Sequence, residues 1–239
     1  MIYYGRTKGA TMPDSGQHGF LESLHPSARR ELLAHARSVR VRKGQTVLAR
    51  GENSDDVYIV QEGRLNVLLY AADGKEVSLR DLSDGQLFGE LSAIDGEARS
   101  VGIVAATNGR LLAFSASVFR AAVGASPETA AWLMQRLATQ VRGLTDRVFE
   151  LSALNVRARL HCELMRLARS QTGGEAPTHA ELANRIGTHR EAVTRELNVL
   201  AEMKIIKSGR RHLEFLDIAG LEEILATSLR APVGEEGRW

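Results

Sequence analysis

Residues 88–101 read FGELSAIDGEARSV, and this stretch decides how the rest of the chain is understood. It sets a glycine (Gly89), a carboxylate (Glu90), a short loop, an arginine (Arg99) and a hydroxyl (Ser100) in fixed order. Glycine lets backbone come close where a side chain would block it. Glu90 is an acceptor suited to a pair of ribose-like hydroxyls, and the planar guanidinium of Arg99 matches a phosphate, with Ser100 as one more donor. Two readings fit these residue types equally. One is a pocket for a small phosphorylated sugar; the other is a solvated loop with a structural salt bridge between Glu90 and Arg99.

Upstream of this stretch the chain is rich in short β-prone runs: 39–41, 46–49, 56–61, 65–69 and 77–82, followed beyond it by 102–105 and 110–115. Turn pairs punctuate them, such as Lys43-Gly44, Arg50-Gly51, Asp73-Gly74 and Asp84-Gly85. Evenly spaced short strands with glycine turns predict a small all-β barrel or sandwich. Most glycines here make turns; Gly89 and Gly96 are candidates for more. Residues 1–18 lack periodicity and read as a loose tail, and 28–36 reads as a short helix after Ser27.

Downstream, Ser126-Pro127-Glu128 has the form of an N-cap, an N1 proline and an acidic first turn. A helix is predicted from there to about Leu154. Met134, Leu137, Val141, Leu144, Val148 and Leu151 alternate by three and four, the seam of a coiled coil. With Arg136, Arg142, Asp146, Arg147 and Glu150 expected on an outer face, the seam predicts a homodimer through residues 126–154. Asn155 reads as a hinge and N-cap, Val156–Arg169 as a helix carrying a buried Cys162, and 171–176 as a loop.

Residues 178–206 read as two helices joined at Gly187, with capping boxes at Thr178-x-x-Glu181 and Thr188-x-x-Glu191. Leu182, Ile186, Val193, Leu197 and Leu200 supply the inner face. Arg190, Glu191, Thr194 and Arg195 form the outer face of the second helix. Arginine can bridge O6 and N7 of guanine, and glutamate can accept from the N4 amine of cytosine. From Arg185 to Arg211 seven Lys/Arg face three Glu, a local +4 on a chain whose net charge is +2. That balance fits a phosphate-facing footprint. Residues 207–215 read as a hairpin wing.

The 239 residues suffice for one large or two modest domains, and 44% hydrophobic with 25% charged content is ordinary for a globular chain. A single cysteine excludes a disulfide framework and Cys-rich zinc or iron–sulfur sites. There is no long apolar run and no signal-like N-terminus, so a cytoplasmic protein without a membrane span is expected. Seven scattered histidines, with no His-Asp doublet, do not resemble the paired metal ligands of a metal-dependent enzyme.

On residues 88–101, with the Gly89–Arg99 loop length and the hairpin rhythm before it, the segment resembles the phosphate-binding cassette of cyclic-nucleotide-binding domains. GTHREAVTRELNVL, at 187–200, resembles the recognition helix of the Crp/Fnr transcription regulators. The resemblance runs from about Phe20 to Leu229. It implies an α+β protein with three main parts, a cyclic-nucleotide-binding β-roll (jelly roll) at 19–125, a coiled-coil dimerisation helix at 126–154 and a winged helix-turn-helix at 155–230, flanked by tails at 1–18 and 231–239. It implies that Gly89 and Leu91 face the phosphate with their backbone, that Glu90 holds the ribose 2′-hydroxyl and that Arg99 holds the phosphate. Ser100 would meet phosphate and base, with Val101 beside it and Leu144 and Thr145 contacting the base. A hydroxyl at Ser100 can also meet the guanine amine, so cAMP with relaxed selectivity, cGMP also binding, is the expected ligand.

The same resemblance implies that Arg190, Glu191 and Arg195 read a palindromic TGTGA-type site in double-stranded DNA. Thr194 would accompany them, Thr178 and His189 would touch phosphate, and RNA polymerase would be a further partner. His189 stands where the family pattern has Ser. The family's oxygen sensors carry an N-terminal cysteine cluster and its carbon monoxide sensor a haem-ligating His in the roll. Between Ala36 and Leu160 there is neither His nor Cys, so no metal, haem or iron–sulfur cofactor is expected. The remaining alternatives are a regulator that binds DNA without a cyclic nucleotide and an enzyme of cyclic-nucleotide metabolism, for which the scattered histidines offer no paired metal ligands.

Overall fold

The computed structural model describes residues 19–70, 76–169, 176–209 and 211–229. The expected tails, the Asp73-Gly74 turn and all but Ala176 of the 171–176 loop lie outside them. The described chain divides into two compact units, one up to Thr139 and one from Gln140.

The first unit opens with α1 (Phe20–Ser23) and α2 (Pro26–Ala34). Eight strands follow: β1 (Arg37–Val41), β2 (Thr46–Leu48), β3 (Val57–Glu62), β4 (Leu65–Tyr70), β5 (Glu76–Leu82), β6 (Leu87–Phe88), β7 (Gly102–Ala105) and β8 (Gly109–Phe114). Helix α3 (Glu90–Asp95) lies between β6 and β7, and α4 (Ala116–Gly124) follows β8. The strands pair antiparallel in two sheets, β1-β8-β3-β6 and β2-β7-β4-β5. Val41, Leu48, Val60, Leu65, Val67, Leu82, Phe88, Ile103 and Leu111, drawn from both sheets, fill the space between them. This is the β-roll expected from the sequence.

Strand β3 is buried on both faces. Val60 points into the roll, while Val57 and Ile59 meet Phe20, Phe114, Phe119 and Leu133 in a second core built on the helices. Phe20 seats that core, with ring centroids 5.5 Å from Phe119 and 5.6 Å from Trp132.

Four local expectations need correction. Strand β6 is only two residues long, too short to show a period of two, and it leads directly into Gly89. The segment after it is a helix rather than a loop, because Glu-Leu-Ser-Ala holds good helix formers between two left-handed glycines, Gly89 and Gly96. Helix α2 starts at Pro26 with His25 as cap, whose Nδ1 accepts from the Ser27 amide at 3.4 Å. α1 was not anticipated at all.

Helix α5 (Pro127–Ala153) matches its predicted span, and its apolar seam is uncovered as expected of a face kept for a second copy, but two residues expected on the outer face, Arg136 and Glu150, turn inward. Arg136 is buried, donating from Nη2 to the Leu87 carbonyl at 2.6 Å and lying 5.8 Å from the Trp132 ring centre. Glu150 is buried as well. Met134, Val141, Leu144, Val148 and Leu151 are half or more exposed. Leu137 leaves the seam and packs on the helical core of the first unit. Arg136 and Glu150 turn inward because each finds an acceptor or counter-charge there, while Arg142 and Asp146 stay exposed.

The second unit holds the rest of α5, then α6 (Val156–Arg169), α7 (His179–Ile186), α8 (Arg190–Glu202), β9 (Ile206–Gly209), β10 (His212–Phe215) and α9 (Ile218–Ser228). β9 and β10 form the expected hairpin wing. Leu160, Leu164, Leu182, Ile186, Val193, Leu197, Leu200, Leu221 and Leu225 make its core, with Cys162 among them. α9 was not anticipated; its Leu221 and Leu225 close the core over α6.

Under the end of α5 lies a charge network. Arg166 grips Glu150 with two bonds of 2.7 Å and donates from Nε to Glu163 at 3.0 Å. Arg185 of α7 reaches Glu163 at 3.1 Å and Arg147 reaches it at 3.3 Å. Burial raises the Glu163 carboxyl, but Arg166, Arg147 and Arg185 outweigh it and hold its pKa at about 2. A carboxylate depressed in this way stabilises the fold above its unfolded pKa of about 4.3, and the gain is lost as pH falls towards 2. Glu163→Gln leaves three arginines short of a carboxylate. It should cost roughly 3 kcal/mol at neutral pH, with a smaller loss of stability between pH 4.3 and 2 than in the parent, measured by denaturant unfolding across pH.

Candidate ligand pocket and nucleic-acid interface

The stretch from Phe88 to Val101 is assembled around the Arg99 guanidinium, which is 4% exposed. Its Nε donates to Ser54 Oγ at 2.9 Å, Nη1 to the Gly89 carbonyl at 2.8 Å and Nη2 to the Asp56 carbonyl at 2.7 Å. A guanidinium has five N–H donors. Among the described residues these bonds use three, leaving one N–H on each of Nη1 and Nη2. Burial pushes the guanidinium down from its usual pKa, with nearby Tyr58, Glu52 and Asp56 opposing. The backbone is tied too, since Arg99 N donates to Glu52 O at 3.0 Å and Gly51 N to Arg99 O at 2.8 Å.

Gly89 sits at φ +81°, and a Cβ there would lie 2.9 Å from the Asp56 carbonyl and 3.0 Å from Arg99 Nη1. The glycine is therefore required by the protein's own packing as well as by its left-handed backbone. Gly96 is also left-handed but has open space around it, so it only ends α3. Glu90 heads α3 and is buried, while Ser100 and Leu91 are exposed and Val101 packs on the roll's inner core. These six residues come together in one unit. Leu144 and Thr145 fall in the other unit; both are exposed, and the Thr145 hydroxyl donates to the Val141 carbonyl at 3.0 Å.

Residues not singled out from the sequence also belong to this region. Ser54 and Asp56 hold Arg99. Arg80 of β5 pairs with Val67 of β4, whose side chain fills the roll, so Arg80 shares the inner face with Val67 and, two residues on, with Leu82. A period-two reading of Arg80 and Leu82 was the available signal. Burial pushes Arg80 down, the like charge of Arg136 adds to this, and Glu90 opposes it.

In the second unit, the Thr178 capping box forms: Thr178 Oγ1 accepts from Glu181 N at 3.2 Å, and Glu181 Oε2 accepts from Thr178 N at 2.6 Å. Gly187 ends α7 at φ +67°, and Thr188 N returns to the Ala183 carbonyl at 3.0 Å. The second expected box does not form. The Thr188 amide is spent on closing the turn, so α8 begins one residue later with His189 as an N-cap lacking a side-chain bond.

Arg190, Glu191, Arg195 and His189 are exposed along α8 and its start. Thr194 is half-buried, donating to the Arg190 carbonyl at 3.0 Å and lying 2.8 Å from His179 Nδ1. It ties α7 to α8 and so departs from the outer face assigned to it. Glu196 also turns inward, 2.8 Å from Nε2 of the buried His161 and 2.9 Å from Arg157 Nε. Since Arg185 is likewise withdrawn onto Glu163, the basic balance of the face is unchanged. A cleft of about 450 Å³ separates the start of α6 from α8, walled by Arg157, Arg159, Arg195 and Glu196.

Among the described residues no His/Cys/Asp/Glu group could hold a metal ion, and no helix is long and apolar enough to cross a membrane. Sequence profiles match the cyclic nucleotide-binding domain over residues 38–126 and the Crp-like helix-turn-helix domain over 158–224. The chain is 32% identical to the cyclic AMP receptor protein of Thermus thermophilus, over 76% of this chain and 85% of that one. It is 29% identical to a CRP-like cAMP-activated global transcriptional regulator of Mycobacterium tuberculosis, over 75% and 84%. The fold is shared with FixK2 of Bradyrhizobium japonicum, at TM-score 0.70 and 20% identity over 79% of this chain and 96% of that one. With a β-roll around a buried cassette arginine and a helix-turn-helix beside a hairpin wing, the chain belongs to the Crp/Fnr family of DNA-binding transcription regulators, a family of regulators rather than enzymes.

Proposed function

We propose that this regulator binds a cyclic purine nucleotide, cAMP and cGMP both being ligands, and that the bound form is the one that grips DNA. The observation that carries this is the Arg99 guanidinium: buried, aimed by Ser54, Gly89 and Asp56, and retaining one N–H on each Nη nitrogen. Two adjacent N–H groups on a fixed plane suit the two free oxygens of a cyclic phosphate. Gly89 and Leu91 offer backbone, the exposed Ser100 hydroxyl a further donor and Val101 an apolar wall. Glu90 takes the ribose 2′-hydroxyl. The cAMP-activated relatives support this reading of the ligand.

On the DNA side, Arg190, Glu191 and Arg195 project from α8 as the base readers of a TGTGA-type half-site, with His189 at the phosphate. Thr178 supports this face by capping α7, and Thr194 by joining α7 to α8. The protein acts as a homodimer through the exposed stripe of α5, which places two readers on a palindrome about one helical turn apart. RNA polymerase is the partner that a DNA-bound regulator of this family would recruit. A ligand with unequal affinity for the DNA-competent and incompetent arrangements shifts the population between them.

Calorimetry with cAMP and cGMP, each paired with an electrophoretic shift on a TGTGA–TCACA palindrome, tests the switch. Binding of either nucleotide together with a nucleotide-dependent shift is expected; a shift indifferent to both would sink the allosteric reading. Glu191→Ala should relax discrimination at its base pair by roughly 1–3 kcal/mol while leaving nucleotide binding intact, read from shifts on substituted sites. Val148→Glu places a charge on the uncovered seam. It should give a folded monomer by light scattering and circular dichroism, whereas a persisting dimer would show that α5 is not the interface.

A further inference from the structure

Helix α8 is held by two polar anchors that bracket one of its outward arginines. Thr194 lies 2.8 Å from His179 Nδ1 on α7, and Glu196 lies 2.8 Å from His161 Nε2 on α6. At about 100° of turn per residue, Arg195 falls between the two, so both set its direction. The α7 anchor is half-buried, whereas His161 is wholly buried.

The two ring nitrogens of His161 are placed very differently. A carboxylate only accepts, so Nε2 is the donor to Glu196. Burial raises the Glu196 carboxyl, but His161 and Arg157 outweigh it and keep the group below its usual range. Arg157 Nε stands 2.9 Å from Glu196 Oε2. On the far side of the ring, Nδ1 is buried with no hydrogen-bond partner among the described residues. A bare lone pair is tolerated there. A proton on Nδ1 would be a buried N–H without an acceptor, on a cation facing a carboxylate that Arg157 already neutralises. The other charges packed around α6 are engaged elsewhere. Arg147 and Glu150 of α5 and Arg185 of α7 join the network on Glu163 and Arg166, and Glu222 of α9 meets Arg169. Glu196 also walls the cleft of about 450 Å³ between α6 and α8, which gives it room to turn once released.

We propose that His161 is a positioning residue for base reading: its neutral imidazole, donating from Nε2 to Glu196, holds α8 in the arrangement that reads DNA, and a proton taken up at Nδ1 releases it. The arrangement that binds fewer protons gains as pH rises. Sequence discrimination is therefore full above the range in which imidazoles ordinarily titrate, about pH 6–7, and falls below it. A cation at His179 or His189, at the starts of α7 and α8, would act in the opposite sense by attracting phosphate, and that attraction is blind to sequence. The inference rests on the reading of α8 as the base-reading helix and adds what keeps that helix in place.

The test is binding of the full chain, with cAMP and cGMP present, to a TGTGA–TCACA palindrome and to a scrambled duplex of the same composition between pH 5.5 and 8.5. Parent and His161→Gln are compared, since the glutamine amide can donate to Glu196 but takes up no proton, and circular dichroism follows the fold at each pH. The parent's preference for the palindrome should fall about tenfold between pH 7.5 and 5.5, the effect of one linked proton over one pH unit, while His161→Gln should hold its preference within about twofold. Replacing the pair together, His161→Leu with Glu196→Leu, strands no buried charge and should give the same flat profile, so the outcome does not hang on one variant. A parent preference that is flat or rises with acid, or variants that follow the parent's profile, would overturn the proposal. A parent with no preference for the palindrome at any pH would instead overturn the reading of α8.

Discussion

A buried guanidinium has to be given acceptors, and the first unit is arranged around meeting that demand for Arg99. Its three engaged nitrogens draw on Ser54, Asp56 and Gly89, which lie before β3 and after β6. These bonds, with the backbone ties to Gly51 and Glu52, join three stretches that are distant in sequence. The close approach forces a glycine at 89 and a left-handed turn there, and that turn launches α3 with Glu90 in its first position. One cation thus sets the backbone conformation, the helix start and the placement of the neighbouring carboxylate. It also means that Arg99 has a structural role of its own, so its removal is not silent for the fold.

The second unit solves a similar problem with a network. Glu150 and Glu163 are buried, and each is approached by more than one arginine. The network joins the end of α5 to α6 and α7 across the Asn155 cap, where Asn155 Oδ1 accepts from Ala158 N at 2.9 Å. Such a joint is stiff while every member is present, because losing one leaves a buried charge uncompensated.

The same economy appears on α8. Its inner face is apolar, but Glu196 is given to His161 and Arg157, and Thr194 to His179. The residues left outward are Arg190, Glu191 and Arg195, a group whose chemistry is that of base edges. The helix is therefore fixed by its polar residues as much as by its core, with three long side chains left on its outer face.

Strand runs, both long helices, the helix-turn-helix and the cassette were legible in the sequence, because each rests on local periodicity, capping or a contiguous motif. Gly89, Glu90, Arg99, Arg190, Glu191 and Arg195 could be named for that reason. What the sequence could not decide was which polar residues turn inward. Arg136, Glu150 and Glu196 look like solvated charges on a helical wheel, yet each is buried against partners far away in the chain. Thr188 looks like a cap, but its amide closes a turn instead. Arg80 looks like an ordinary strand residue until its pairing with Val67 shows which side it faces. The sequence by itself determined the elements and the chemistry available to them. Only the tertiary structure decided where each charge was spent, because burial is stable only when a distant partner meets it, and that pairing is not written in any local window of the chain.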